Sequence, residues 1–100
     1  TTPQLFPAAP ASLTATAVSK SQINLTWVDR SNNEDGFRIE RCKGVNCTNF
    51  TMVTQVGQNV TAFSNTGLSK NTSYSYRVRA FNAGGNSPYS NTATARTLKR

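Results

Sequence analysis

The sequence predicts an all-β protein, a seven-stranded antiparallel sandwich of two sheets. Apolar residues recur with a period of two along most of the chain, which is typical of strands with one buried face. Short alternating segments follow one another at intervals of about 8 to 14 residues, separated by turn-forming residues and without a helical period. Only 15% of the 100 residues are charged, which suits one domain whose strands have a solvated polar face.

The first three strands are predicted from alternation between apolar and polar residues. Residues 13–18 read "LTATAV" and residues 23–28 read "INLTWV". The turn "SNNEDG" at 31–36 follows, with Gly36 free to take a positive φ. Residues 37–41, "FRIER", resume the alternation. Each segment therefore has one side for a core and one side for solvent.

The last four strands follow the same period in the second half of the chain. They are predicted at 50–56 ("FTMVTQV"), 62–67 ("AFSNTG"), 74–81 ("YSYRVRAF") and 91–97 ("NTATART"). The segment "NAGGNS" lies between two strands and not before a helix, so it predicts a hairpin loop and not a phosphate-binding loop.

The N-terminal segment has a different composition from the rest. It reads "TTPQLFPAAP" and contains three of the four prolines without alternation. Such a composition favours an extended backbone. We expect an extended linker at 1–9 and a single β domain at 10–98.

Two stretches resemble one known family. The segments "INLTWVDRSNNEDGFRIER" and "GLSKNTSYSYRVRAFNAGGNSPYSNTATART" are similar to fibronectin type III domains, and especially to copies in secreted bacterial proteins. The resemblance covers about residues 10 to 98 and implies an immunoglobulin-like sandwich. Its core positions are occupied by Trp27 on the second strand, Leu68 before the sixth strand, the corner tyrosine Tyr74, and then Val78 and Ala80.

The cationic residues of the sixth strand should face solvent. Because side chains alternate across a strand, inward Val78 places Arg77 and Arg79 outward. In the family, the third strand neighbours the sixth in one sheet, which implies one exposed face that collects Arg38, Arg77, Arg79 and Phe81, with Glu40 partly neutralising it. We predict a candidate anion-binding surface there, with weak and salt-sensitive affinity for acidic polysaccharides.

Charge and hydropathy narrow the range of partners. The net charge is +7, yet the cations are scattered, whereas nucleic-acid readers usually concentrate them on one element. No apolar run approaches the roughly 18 residues that a membrane helix needs. We therefore expect no specific nucleic-acid partner, no membrane insertion and a monomeric module.

The two cysteines are separated by four residues, so they cannot form the long bridge between the sheets of an antibody domain. A disulfide between Cys42 and Cys47 that clips one loop is the favoured interpretation. Free thiols and a metal site are the alternatives, although a closed zinc site lacks ligands because the chain has no histidine. A disulfide in turn favours an oxidising, extracellular location.

Catalytic chemistry has few candidate residues. The chain has no histidine and four carboxylates, Asp29, Glu34, Asp35 and Glu40. Glu34 and Asp35 lie in a predicted turn, where solvation of the loop is the expected role. We predict no catalytic residues, no cofactor and no metal.

Two functions remain open at this point. The resemblance implies a noncatalytic spacer or presentation module in a larger exported protein such as a polysaccharide-degrading enzyme, whose partners are other domains of the same chain. The alternative is an adhesion module of a cell-surface protein that binds a carbohydrate or another protein.

Overall fold

The computed structural model describes residues 7–45 and 47–100, which form a β sandwich. The strands arise where apolar and polar residues alternate. They are β1 (Ala11–Ala17), β2 (Ile23–Val28), β3 (Gly36–Lys43), β4 (Thr51–Gly57), β5 (Ala62–Asn65), β6 (Ser73–Asn82), β7 (Gly85–Asn86) and β8 (Ala93–Arg96).

The strands form two antiparallel sheets. The smaller sheet has the order β1-β2-β5, and the larger has the order β4-β3-β6-β7, with β8 also paired to β6. Every recorded pairing is antiparallel, which confirms the predicted fold class.

The core lies between the sheets and uses the inward positions of the alternation. Trp27 from the smaller sheet meets Phe37 from the larger one, with ring centroids 5.6 Å apart. The corner tyrosine behaves as the resemblance implies, since the Tyr74 hydroxyl accepts a 3.0 Å hydrogen bond from the Ser69 backbone N–H. The buried apolar residues include Leu13, Ile23, Leu25, Trp27, Phe37, Ile39, Leu68, Tyr74, Tyr76, Val78 and Ala80.

The described residues contain eight strands where the sequence predicted seven, because the segment "NAGGNS" at 82–87, predicted as a hairpin loop, contains the short extra strand β7 ahead of β8. β7 and β8 both pair with β6. Between them, the hydroxyl of Ser87 accepts from the Ala80 N–H at 2.9 Å, and that of Ser90 accepts from the Val78 N–H at 3.0 Å. Pro88 has no N–H and cannot continue a regular ladder. Between β7 and β8, two backbone N–H groups of β6 thus donate to serine hydroxyls instead of to the backbone carbonyls of a paired strand.

Gly36 has a different role from the one predicted. It is not among the residues with a positive φ. A Cβ at this position would collide with the Val56 carbonyl oxygen and with the Phe81 ring. Glycine is therefore suited to the start of β3 by the close approach of β4 and not by turn geometry.

The N-terminal segment is described only in part. Residues 1–6 of the predicted linker lie outside the described residues, whereas Pro7 and Pro10 are both buried. The linker and domain boundaries at 9 and 98 stay a prediction.

Candidate functional site

The register between β3 and β6 brings the predicted surface residues together. Arg38 lies opposite Arg79, and Gly36 opposite Phe81. Glu40 lies opposite Arg77 in the same ladder. We call the outer surface formed by Arg38, Arg77, Arg79, Phe81 and Glu40 the arginine face.

Glu40 binds two of the arginines of this face. Its Oε1 lies 2.8 Å from Nη2 of Arg77 and accepts a second bond from Arg77 Nε at 2.9 Å. Its Oε2 lies 3.6 Å from Nη2 of Arg79. Glu40 is only 8% exposed, so one covered carboxylate serves two guanidinium groups.

Two aromatic residues that the sequence did not indicate complete the arginine face. The Arg77 guanidinium carbon lies 4.2 Å from the ring centroid of Phe50 and 3.7 Å from that of Tyr89. The Arg79 guanidinium also lies over Tyr89, at 4.7 Å. Tyr89 lies outside the regular strands, and Phe50, which the sequence placed at the start of the fourth strand, lies one residue before β4. Stacking of this kind holds a guanidinium in place and shields part of it from water.

The Tyr89 hydroxyl closes the cluster around Glu40. It donates a 2.9 Å hydrogen bond to Oε2 of Glu40. Burial, together with the hydrogen bond to Glu40 and its negative charge, raises the pKa of the Tyr89 hydroxyl, and the charges of Arg77 and Arg79 only partly oppose this shift. The hydroxyl therefore remains a donor at neutral pH.

Arg38 is held separately at the other end of the arginine face. Its guanidinium carbon lies 4.4 Å from the ring centroid of Phe81. Its Nη1 donates to Oδ1 of Asn86 at 2.8 Å, and its Nε donates to Oε1 of Gln55 at 3.3 Å. Each predicted arginine thus already has partners within the protein, and an anionic ligand would compete with these contacts.

The cysteines form the predicted loop clip. Cys42 at the end of β3 and Cys47 are joined as a disulfide, with Cα atoms 6.1 Å apart. The Gly44 N–H between them donates to the Ser73 carbonyl at 2.8 Å, and the Ser75 hydroxyl donates to the Gly44 carbonyl at 2.8 Å. The disulfide loop is therefore fastened to the start of β6.

Glu34 is not the solvated loop residue that the sequence suggested. It is 2% exposed and accepts hydrogen bonds from the Ser31 hydroxyl at 2.8 Å and from the Asn59 N–H at 3.0 Å. Burial of Glu34 opposes its ionisation, but these hydrogen bonds outweigh that effect and lower the pKa of its carboxyl below the ordinary value. Its charge ties the β2–β3 loop to the β4–β5 turn.

Neither a cluster of metal-ligand residues nor a membrane-length helix occurs in the described ranges. Within residues 7–45 and 47–100, no three His, Cys, Asp or Glu side chains come together in a group that could hold a metal ion. The same part of the chain has no helix of the length and hydrophobicity that a membrane span requires.

The family comparison matches most of the chain. The model of the fibronectin type III domain matches residues 8–96. A bacterial relative, an alpha-amylase from Niallia circulans, is 38% identical over 95 residues, covering 91% of this chain. The chain spans only 7% of that protein.

Solved structures of the same architecture come from animals and bacteria. The FN1–FN3 domains of chicken CNTN1 superpose with a TM-score of 0.82 at 25% identity, covering 96% of this chain and 34% of that one. An Fn3-like protein from Clostridium thermocellum gives a TM-score of 0.76 at 25% identity, covering 94% of this chain and 96% of that one.

Proposed function

The chain belongs to the fibronectin type III family, and on that basis we propose that it is a noncatalytic spacer or presentation module of a larger exported bacterial protein. The similarity to the Niallia circulans alpha-amylase carries the proposal. The match spans only 7% of the alpha-amylase, so most of that protein consists of other segments that such a module would connect. The partners are then domains of the same polypeptide, and the parent protein is a carbohydrate-active enzyme.

The path of the chain through the sandwich supports a spacer. β1 begins at Ala11, opposite Val28, and ends at Ala17, opposite Ile23. Beyond β8, the Leu98 N–H donates to the Ser19 carbonyl at 3.2 Å. The chain therefore enters beside the start of β1 and leaves beside its far end, a strand length of about 20 Å away at 3.3 Å per residue. Modules joined in this way extend along one axis.

The two buried carboxylates support the noncatalytic role. Glu34 is held ionised by hydrogen bonds between two loops, and Glu40 is held by Arg77 and Tyr89. A glycosidase needs two carboxyl groups that flank an open cleft. Neither residue faces such a cleft, since both are covered by protein.

Export is part of the same proposal. The Cys42–Cys47 disulfide is of a kind that persists in oxidising compartments. A polysaccharide-degrading parent enzyme acts where its polymeric substrate lies, outside the cell. Both features favour a secreted or cell-surface location.

The arginine face remains the predicted anion-binding surface, but the affinity that we expect for an anionic ligand is lower than the number of arginines suggests. Three arginines and one carboxylate leave it with an excess of two positive charges, and Glu40 and the aromatic rings occupy much of the guanidinium surface. Binding of heparin-like polymers is therefore expected to be weak and to disappear as salt screens the exposed charges.

An assay of the isolated 100-residue chain separates the spacer from the alternatives. We expect no hydrolysis of α-glucan and no retention on insoluble starch, cellulose or chitin. Strong retention on one of these neutral polymers would favour a binding module instead. In the parent enzyme, replacement of residues 10–98 by an unrelated fibronectin type III domain should preserve activity if the module acts as a spacer.

A further inference from the structure

A surface pocket beside the disulfide lies outside the arginine face. Its walls come from the end of β3, the segment that enters β4, and the β5–β6 loop, and its volume is about 400 Å³. This is within the lower part of the range of small-molecule sites, roughly 300 to 1,000 Å³. The lining residues include Arg41, Lys43, Asn49, Thr51, Leu68 and Ser69.

The pocket differs from the arginine face in its charge balance. Arg77 and Arg79 share Glu40, whereas Arg41 and Lys43 have no carboxylate within ion-pair distance among the described residues. No acidic residue belongs to the lining. No carboxylate of the described residues therefore neutralises these two cations, which favours an anionic ligand.

Arg41 is fixed in position from the buried side. Its Nη1 donates to Oδ1 of the buried residue Asn65 at 3.0 Å, and the same oxygen accepts the Tyr76 hydroxyl at 2.7 Å. The guanidinium carbon lies 5.2 Å from the ring centroid of Tyr74. Burial raises the pKa of Tyr76 to about 12 despite the opposing charge of Arg41, so its hydroxyl keeps donating at neutral pH. Only one nitrogen and one face of the Arg41 guanidinium are engaged by these contacts. Its other N–H groups can therefore donate hydrogen bonds to a ligand, and the side chain is already held in position.

The rest of the lining narrows the class of ligand. Asn49, Thr51 and Ser69 bring an amide and two hydroxyl groups, which are the partners that sugar hydroxyls use, and Leu68 adds an apolar wall. A volume of about 400 Å³ is more than one inorganic anion fills. From these contacts we propose that the pocket binds a carboxylated sugar unit of the hexuronate class, with its carboxylate on Arg41 and Lys43.

This site goes beyond the spacer role and does not depend on it. Membership of the fibronectin type III family is compatible with a spacer that binds no ligand and also with a spacer that binds an acidic sugar. The two disulfide cysteines lie next to the pocket, and Cys42 is part of its lining. The clip thus helps to fix the wall that carries Lys43.

The test is a titration of the 100-residue chain with galacturonate and with glucuronate at low and at physiological salt. Binding is monitored through the backbone amide chemical shifts in NMR spectra. Galactose, glucose and acetate are titrated in parallel. We expect saturable shifts confined to residues 41–51 and 67–74, with a millimolar dissociation constant that rises with salt. Equal shifts with the neutral sugars, equal affinity for acetate, or shifts that do not saturate would overturn the proposal.

Matched variants assign the site to the pocket. Lys43→Gln, at an exposed position, and Arg41→Gln should each weaken hexuronate binding about two- to fivefold. Arg30→Gln is the control, because Arg30 is also exposed and lies before the start of β3, at the end away from Lys43. Equal weakening by all three variants would mean that net charge alone attracts the ligand. Thermal melts of each variant separate loss of binding from loss of folding, and Lys43→Gln decides the outcome if Arg41→Gln unfolds.

Discussion

Nε of Arg77 lies 2.9 Å from Oε1 of Glu40, its direct partner across the β3–β6 ladder. Cross-strand pairs of opposite charge stabilise a sheet modestly when they are exposed. This pair is different, because Glu40 is covered and also receives the Tyr89 hydroxyl. The outer surface of the larger sheet is therefore organised around one carboxylate.

Glu40→Gln should destabilise the domain by about 1 to 2 kcal/mol, because two arginines and a tyrosine lose a charged acceptor while the partly exposed guanidinium groups remain hydrated. The same variant should increase retention on heparin at low salt. Urea unfolding and a salt-gradient column measure the two effects. Asp35→Asn, at an exposed position, is the control and should change stability by less than about 0.5 kcal/mol. Equal losses from both variants would contradict the central role of Glu40.

Trp27→Ala should cost about 3 to 5 kcal/mol, since it leaves a cavity against Phe37 in the centre of the sandwich. Thr26→Ala, next in sequence but exposed on the outer face, should cost less than about 1 kcal/mol. Denaturant melts of the two variants give the comparison. Similar losses would mean that the described register of β2 is wrong by one residue.

Gly36→Ala should destabilise by about 1 to 3 kcal/mol, because the added methyl group collides with the Val56 carbonyl and the Phe81 ring. Gly57, its cross-strand partner on β4, has open space around the position of a Cβ. Gly57→Ala should therefore be neutral or stabilising by up to about 1 kcal/mol. Thermal unfolding of both variants tests the contrast, and a harmless Gly36→Ala would refute the close approach.

Glu34→Gln should destabilise the domain at neutral pH and lose this effect in acid. Because hydrogen bonds lower the pKa of Glu34 in the folded state, its contribution is complete above the unfolded value, about 4.3, and is lost as the pH falls through the lower folded value. Free energies of unfolding of wild type and variant between about pH 7 and pH 3 should converge. A difference that stays constant over this range would show that ionisation of Glu34 does not matter.

Removal of the disulfide by Cys42→Ser with Cys47→Ser should cost about 2 kcal/mol in the chain-entropy model for so short a loop. Intact mass with and without reductant, followed by alkylation, first establishes the bond in exported protein. Two freely alkylated thiols in that material would contradict the clip. The double variant should also weaken hexuronate binding, since the pocket shares Cys42.

The sequence predicted well which side of a strand each residue occupies, and poorly which side chains from other segments pack against it. Alternation placed Arg77 and Arg79 outward and Trp27 inward, because a period of two dictates the side of a strand without any tertiary information. The bounds of β2 at Ile23–Val28 agree with the predicted strand for the same reason. Which side chain then lies over which guanidinium depends on folding of distant segments.

The missed features come from loops and from long-range contacts. Tyr89 follows the interruption at Pro88, and nothing local indicates that its ring reaches β6. Glu34 lies in a segment rich in turn-forming residues, where its burial depends on Asn59 in another loop. The pocket is formed by three segments that are separate along the chain, so no single sequence motif indicates it.

The interruption of the sheet edge between β7 and β8 has a consequence for modules that stand in tandem. An unpaired strand edge can template pairing with another chain and so promote aggregation. Here the regular pieces of that edge are only two and four residues long, and Pro88 with the two serine side chains interrupts the row of backbone groups between them. A neighbouring copy held at high local concentration would find no long template on this side, so the interruption protects such an assembly against intermolecular strand pairing.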